Sequence, residues 1–525
     1  MQRFRRFRSV VLVWGAVAAA RPAASAEVAL EHVWTHAGGG PACAEIVAYD
    51  EAARELLVGN GAERCVVRLD VATGREVGRL DVAALGDPTS VAASHGLVAV
   101  AVAAPRKSDP GHVVLFRSAG DGKSKQASSN PVAIIRVGAL PDMVTLTPDG
   151  RYVLAACEGE PSDDYRTDPE GSVAVIDVSL GPERAVALLA DFVRFNFDRG
   201  SLEHQGVRIS GPNPWADDGR ASVAQDVEPE YIAVAPDSRT AWVTLQENNA
   251  LAIVDIPTAQ VRRVVGLGLK DHSQSGQGLD ANDLDGVARI RRQRVFGMYQ
   301  PDSIAAYAVD GETFLVTANE GDARGYGDFT DEVLVSELTL DPAFDVGDEL
   351  GQLKVSAVGG DTDSDGDIDQ LLAFGGRSLA IWDADGKLVY DSGDALEQFI
   401  AKHLPERFNI DSDGEGLVDS RSDDKGPEPE GVVVGRIGDR VFAFVGLERT
   451  SAIAVFDVTR PQSAELLDVV PLEFEKGATG GPHIAPEGLY FVPAERSPLG
   501  EPLLAVGCEV TGTTLLFRVH SVGDN

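Results

Sequence analysis

One unit recurs along this chain, and its repetition constrains the fold more than any other feature. MVTLTPDGRYVLAACEGEPSDDYRTDPEGSVAVIDV (143–178) and YIAVAPDSRTAWVTLQENNALAIVDI (231–256) share one order: strand, Pro-Asp turn, strand, acidic loop, strand. The order returns at 303–326, 431–458 and 488–519, with weaker copies at 44–71 and 90–117 and a partial one at 370–393. Short antiparallel units at this spacing predict an all-β chain closed radially as a β-propeller. Eight copies can be counted, which favours eight blades. If the partial copy after Gln370 extends its neighbour, seven remain. A β-solenoid is the alternative, but it expects shorter and more uniform periods. EVALEHVWTH, within 27–40, is a free strand able to complete the last blade and close the ring.

The organisation expected is a leader at 1–26 and one propeller domain over 27–525, with insertions at about 190–228 and 259–300. Both insertions are rich in Gly, Asp and Asn and too long for ordinary turns, a length usual in functional or metal-ordered loops. The leader has Arg3, Arg5, Arg6 and Arg8, then an apolar run from Val10 to Ala20, then Ala24-Ser25-Ala26 as a small-x-small cleavage site. Its apolar run is too short to span a bilayer, and no later segment is long and apolar enough. Cleavage after Ala26 predicts a secreted or periplasmic protein, and the C-terminus shows no anchor.

The full chain carries a formal charge of −36, and losing the five leader arginines would make it −41. Such a field repels nucleic acid and anionic membrane and attracts divalent cations. Four cysteines are too few for a disulfide scaffold. Cys43 and Cys65 bracket one β-meander and could pair in an oxidising compartment. Cys157 and Cys508 each stand directly before a glutamate in separate repeats.

The candidate site follows from the same repeat. An acid follows a proline just before the first strand in five units: Asp142, Glu230, Asp302, Glu430 and Glu487. A second acid follows the next strand in the same five: Glu158, Glu247, Glu320, Glu448 and Glu509. Two antiparallel strands joined by a tight turn return the chain to its starting edge, so the two acids are neighbours on one face of a blade. Radial repetition then gathers up to ten carboxylates at one channel mouth. They cannot all remain ionised without a counter-ion or raised pKa values, and clusters of oxygen ligands suit calcium. The competing reading is that each acid caps a turn or pairs with a nearby arginine.

A separate signal is DTDSDGDIDQ at 361–370, where Asp361, Asp363, Asp365 and Asp369 alternate around Gly366. That spacing wraps carboxylate oxygens around calcium, although Leu372 stands where an EF-hand would place its twelfth-position glutamate. A solvated acidic turn is the plainer alternative. No G-x-S-x-G, H-E-x-x-H or P-loop is present. Arg324, Arg421 and Lys425 are cations set among acids, suited either to local ion pairs or to holding an anionic ligand.

At these residues the sequence resembles a known family. LPDMVTLTPDGRYVLAACEGEPSDDYRTDPEGSVAVIDV (140–178), SVAQDVEPEYIAVAPD (222–237), GMYQPDSIAAY (297–307), VTANEGDAR (316–324), GDTDSDGDIDQLLAFGGRSLAIWD (360–383), DSRSDDKGPEPEGV (419–432) and APEGL (485–489) resemble the choice-of-anchor I domain. That family is related to the mesenchyme-specific cell surface glycoproteins of biomineralising animals. The resemblance runs over roughly 30–520 and implies a secreted or surface-attached, acidic, calcium-associated propeller. Cys157 and Cys508 depart from the family pattern, which suggests Asn before the glutamate, as at Asn319. Some relatives carry the label alkaline phosphatase, and calcium-dependent phytases are also acidic propellers. The leading expectation is therefore a calcium-binding, extracytoplasmic binding or scaffold module for a small molecule, polymer or surface protein. The alternative is a calcium-dependent phosphoesterase whose metal activates water, with no protein nucleophile required.

Overall fold

The computed structural model describes residues 28–118, 129–327, 329–344, 350–411, 416–472 and 483–521. The expected leader and its cleavage point after Ala26 lie outside them. Seven four-stranded antiparallel sheets follow one another as up-and-down meanders. Their innermost strands are Val47–Asp50, Asp87–Ser94, Pro141–Leu146, Pro229–Val234, Ile304–Val309, Pro429–Ile437 and Pro486–Val492, defining blades 1 to 7. Each innermost strand abuts the next, and that of blade 7 abuts that of blade 1, so the ring is closed. The free strand does complete it. Val28–Ala37 pairs antiparallel with Thr513–Ser521 and forms the outer edge of blade 7, tying the two ends of the chain together.

The blade count is seven. The partial copy counted after Gln370 supplies Ser378–Asp383, which pairs with Glu312–Asn319, and Leu388–Asp391, which pairs with Ser378–Asp383, and so completes blade 5. A long insertion, residues 320–377, separates the two halves of that blade, so one sheet looks like two repeats in the sequence.

Burial across each blade explains its composition. Second strands such as Leu97–Ala103 (LVAVAVA) and Tyr152–Cys157 (YVLAAC) are buried along their whole length. Both faces of these strands meet neighbouring sheets, so the run is continuously apolar rather than alternating. Outer strands such as Glu76–Asp81 and Val186–Asp191 are mostly exposed and carry charges, which discourages edge-to-edge pairing. The Pro-Asp turns are fixed locally: Asp149 Oδ1 accepts from the Arg151 N–H at 3.0 Å and from the Thr147 hydroxyl at 2.7 Å.

Meander connectivity places every second-to-third-strand loop, and every connection between blades, on the face where the innermost strands begin. The insertions at 158–171, 192–228, 267–303, 320–377 and 392–428 therefore rise from one side. Residues 192–228 link blades 3 and 4 and hold two short helices, Arg199–His204 and Val223–Asp226. The next connection begins later than expected, because Gln260–Gly266 is the outer strand of blade 4. Strands Leu269–Asp271 and Phe296–Met298 from that connection join Glu332–Leu334, Lys354–Ser356 and Leu372–Ala373 from the blade 5 insertion in a five-stranded sheet. Cys43, Cys65, Cys157 and Cys508 are all buried free thiols, so the Cys43–Cys65 pairing is not made. No helix among the described residues is long and apolar enough to cross a membrane.

Candidate functional site

Strand register sets the spacing of the carboxylates. Pro141 pairs with Cys157, Pro429 with Leu447 and Pro486 with Cys508. The next residues, Glu158, Glu448 and Glu509, donate their backbone N–H to the carbonyls of Leu140, Glu428 and Ala485 at 3.0, 2.9 and 2.9 Å. Each of those carbonyls belongs to the residue before the proline, so the two acids of a unit flank a single peptide link. Leu140, Gln300, Glu428 and Ala485 hold φ values of 45°, 39°, 49° and 60°. A non-glycine residue in that left-handed region is a strained one, and here the strain recurs at one place in four blades. It turns the chain from the upper face down into the innermost strand.

The side chains converge. Burial and then the charges of Asp302, Glu247, Glu158 and Asp142 push Glu230 well above the usual carboxylate range. Burial followed by Glu509, Glu45, Asp302 and Asp142 does the same to Glu487. Asp142 lies in blade 3, Asp302 in blade 5 and Glu487 in blade 7, and such mutual influence requires a common mouth. Burial and Glu160 raise Asp142 to about 7. Burial also raises Glu158, Glu247, Asp302 and Glu430 well above the ordinary value, each with acidic neighbours adding to the rise. Glu230, Glu430 and Glu487 occupy equivalent positions, and in each the Oε2 atom is buried without a hydrogen-bond partner.

Register also corrects and extends the sequence reading. Pro229 pairs with Leu245, so Gln246, not Glu247, stands where Glu158 stands in blade 3. Gln246 donates to Glu320 at 2.8 Å, while Glu247 lies one residue further along, under the influence of Glu228 and Arg324. Blade 1 contributes Glu45, raised to about 8 by burial and by Glu509, Asp142 and Asp87. Its signal was an acid two residues before a first strand, disguised because Ala44 replaces the proline. Blade 2 places Thr89 after its proline, and the hydroxyl donates to the Pro141 carbonyl at 2.6 Å. The inner tier is thus six acids and one threonine. The acids before Pro229 and Pro429, Glu228 and Glu428, were visible in the sequence but fell outside the Pro-acid pattern.

The three embedded cations are engaged in ion pairs. Arg324 contacts Asp226 at 2.9 Å and Glu228 at 3.1 Å, all three nearly inaccessible to solvent. Arg421 binds Glu428 at 2.6 Å and Asp424 at 2.9 Å. Lys425 binds Glu320 at 2.7 Å and lies 3.5 Å from Glu428. Although burial alone would raise it, Lys425, Arg421 and Arg449 hold the Glu428 carboxyl down at about 2. Each of the three thus forms local ion pairs with buried acids.

Three groups of carboxylates among the described residues lie close enough to share one ion. Glu320, Glu428 and Glu448 form the first, but Lys425, Arg421 and Arg449 already neutralise it. The other two are Asp361–Asp363–Asp369 and Asp341–Asp367–Asp369, which share Asp369. Backbone amides shape this loop: Ser364 and Gly366 donate to Asp361 at 2.7 and 3.1 Å, and Thr362 donates to Asp369 at 2.7 Å. Asp365, expected among the ligands, belongs to neither group. It is exposed and accepts from the Asp367 N–H at 3.1 Å. Asp341 was missed because it is remote in sequence, whereas Asp367 continues the every-second-residue spacing of the loop and was open to view. The Oδ1 atom of Asp367 is buried without a partner.

Among solved structures the chain is similar to the β-propeller domain of Cps50 (Swd1) from Myceliophteria thermophila, with a TM-score of 0.46, 11% identity, and 94% of this chain and 100% of that one covered. Among curated proteins it is 33% identical over 190 residues to Gigasin-3a of Magallana gigas, covering 34% of this chain and 66% of that protein. It is 29% identical over 321 residues to the mesenchyme-specific cell surface glycoprotein of Strongylocentrotus purpuratus, covering 53% of this chain and 41% of that protein. In both cases less than two thirds of the relative's length is matched. The choice-of-anchor I domain matches residues 45–461, from Glu45 of the carboxylate ring into blade 6 and over most of the chain, and this protein belongs to that family.

Proposed function

We propose that this protein is an extracytoplasmic, calcium-binding propeller that acts as a binding or scaffold module through its acidic mouth. The observation that carries the reading is the set of buried, partnerless Oε2 atoms of Glu230, Glu430 and Glu487 at equivalent positions around one channel. An uncompensated buried carboxylate is costly, and oxygen ligands alone, without nitrogen or sulfur, suit a hard cation such as calcium. Asp361, Asp363, Asp369, Asp341 and Asp367 would hold calcium at the periphery, ordering the blade 5 insertion. The N-terminal basic, apolar and small-residue sequence supports export, as does a relative whose name places it at a cell surface. Its partner would be a small molecule, polymer or surface protein rather than nucleic acid, given the net charge of −36.

The test is metal content and melting temperature, measured with excess chelator and with rising calcium. Calcium should raise the melting temperature progressively once its concentration exceeds the dissociation constant. Magnesium should substitute poorly, because it demands a tighter octahedral shell. The variant Glu230→Gln/Glu430→Gln/Glu487→Gln should be more stable than wild type in chelator and should lose the part of the calcium response due to the mouth. An unchanged melting curve after confirmed metal loss refutes the reading. Calcium-dependent phosphoester turnover that vanishes in the triple variant would replace the scaffold with a hydrolase.

A further inference from the structure

A second site, separate from the carboxylates, lies where three insertions meet on the upper face. The blade 3 loop (158–171), the connection between blades 3 and 4 (192–228) and the hairpin Gly325–Tyr326/Phe329–Thr330 enclose a cavity of about 450 Å³. Tyr165, Tyr326, Phe329 and Pro212 form its walls, and Asp163 and Asp164 stand at its rim. Tyr165 and Tyr326 meet edge to face with ring centres 6.2 Å apart. The hairpin is pressed onto the loop so closely that a Cβ at Gly327 would fall 2.1 Å from the Asp163 carbonyl. Trp215 lies beside the rim, 63% exposed, its indole N–H donating to the Asp164 carbonyl at 3.2 Å. Aromatic residues make up only 6% of the chain, so gathering four here is a specific investment.

A separate recess of about 10 Å³, room for roughly one oxygen atom, adjoins this cavity and shares Tyr165 and Pro212 with it. Tyr165 is 7% exposed and its hydroxyl has no partner. Asp168, which also lines the recess, has a buried and partnerless Oδ2. Two buried, partnerless polar atoms thus lie in a recess that shares a tyrosine wall with the aromatic cavity.

We propose that this cleft binds an uncharged saccharide, one pyranose ring lying against the aromatic walls with a hydroxyl reaching Tyr165 and Asp168. Flat aromatic faces suit the C–H faces of a sugar, and carboxylates accept from its hydroxyls. Anionic sugars are opposed by Asp163 and Asp164 at the rim. Cationic ligands are opposed by the like charges of Lys107, 4.7 Å from the Tyr326 centroid, and Arg166, 5.5 Å from that of Trp215. The site does not depend on the calcium reading.

Isothermal titration of the full chain with cellobiose, maltose, xylobiose and N,N′-diacetylchitobiose tests the proposal, in calcium and in chelator. A digalacturonate and choline serve as charged probes. Saturable binding of at least one neutral disaccharide is expected, and neither charged probe should bind. Trp215→Ala alters an exposed residue and should weaken binding about tenfold with no change in melting temperature. Tyr165→Phe keeps the ring, removes the partnerless hydroxyl, and should weaken binding about three- to tenfold. The proposal is overturned if no neutral disaccharide binds, if choline or digalacturonate binds instead, or if both variants bind as wild type does.

Discussion

Replacing Arg324 with methionine separates a structural cation from a ligand-binding one. The guanidinium side chain is 2% exposed, and its partners Asp226 and Glu228 are 0% and 3% exposed. It donates to Asp226 Oδ1 at 2.9 Å, to the Asp226 carbonyl at 2.7 Å and to the Ser210 hydroxyl at 3.2 Å. Methionine keeps most of the volume but leaves two buried carboxylates with neutral donors only: Asn248 at 2.8 Å and the Gly211 N–H on Asp226, and Tyr326 at 3.0 Å on Glu228. Removing one side of a buried pair costs about 3–5 kcal/mol. Unfolding entropy for a chain of this length is about 1 kcal/mol per kelvin, so the melting temperature should fall by roughly 3–5 °C. The deficit should shrink as pH drops towards 5, because burial already holds the Glu228 carboxyl above the ordinary range and its protonation relieves one stranded charge. Adding Asp226→Asn should restore much of the loss, since one uncompensated charge disappears. Scanning calorimetry of wild type, the single variant and the double variant measures this. A melting temperature unchanged by Arg324→Met would refute the buried ion-pair assignment, and a double variant no better than the single would show that charge is not the cause.

Three further outcomes are expected. Metal-free protein should lose stability as pH rises from about 5 to 9: burial and acidic neighbours raise Glu45 and Glu448 to about 8 and Asp142 to about 7, so the fold binds protons that the unfolded chain releases. Denaturant midpoints across that range in chelator check the sign, and a rise towards alkaline pH would contradict it. Asp369→Asn touches both carboxylate groups of the peripheral loop and should abolish its share of calcium stabilisation, whereas Asp365→Asn, outside both groups, should leave that share intact; melting curves against calcium discriminate them. Trp34 in the closing strand donates to the Val71 carbonyl at 2.8 Å and packs against Gly74, so Trp34→Ala should cost roughly 2–4 kcal/mol by denaturant unfolding.

The sequence by itself determined the class of fold, because short apolar strands separated by turn residues are local signals that repeat in every blade. It also determined that Val28–Ala37 would close the ring, since a strand with no neighbour of its own must find one. The Pro-acid pairing was legible for the same reason: a tight hairpin fixes which residues are adjacent without reference to the rest of the chain. What only the tertiary structure decided depends on contacts between residues far apart. Blade 5 is one sheet rather than two repeats because Glu312–Asn319 finds Ser378–Asp383 across an insertion, a pairing that no local pattern records. Glu45 joins the ring although Ala44 replaces its proline, because membership is set by strand position and not by the motif. Arg324, Arg421 and Lys425 find buried acids as partners, and Asp341 joins Asp367 and Asp369 from a distant turn. Hairpin geometry is written in a few consecutive residues. The distribution of buried charge is set by long-range packing, and only the closed ring brings those groups within reach of one another.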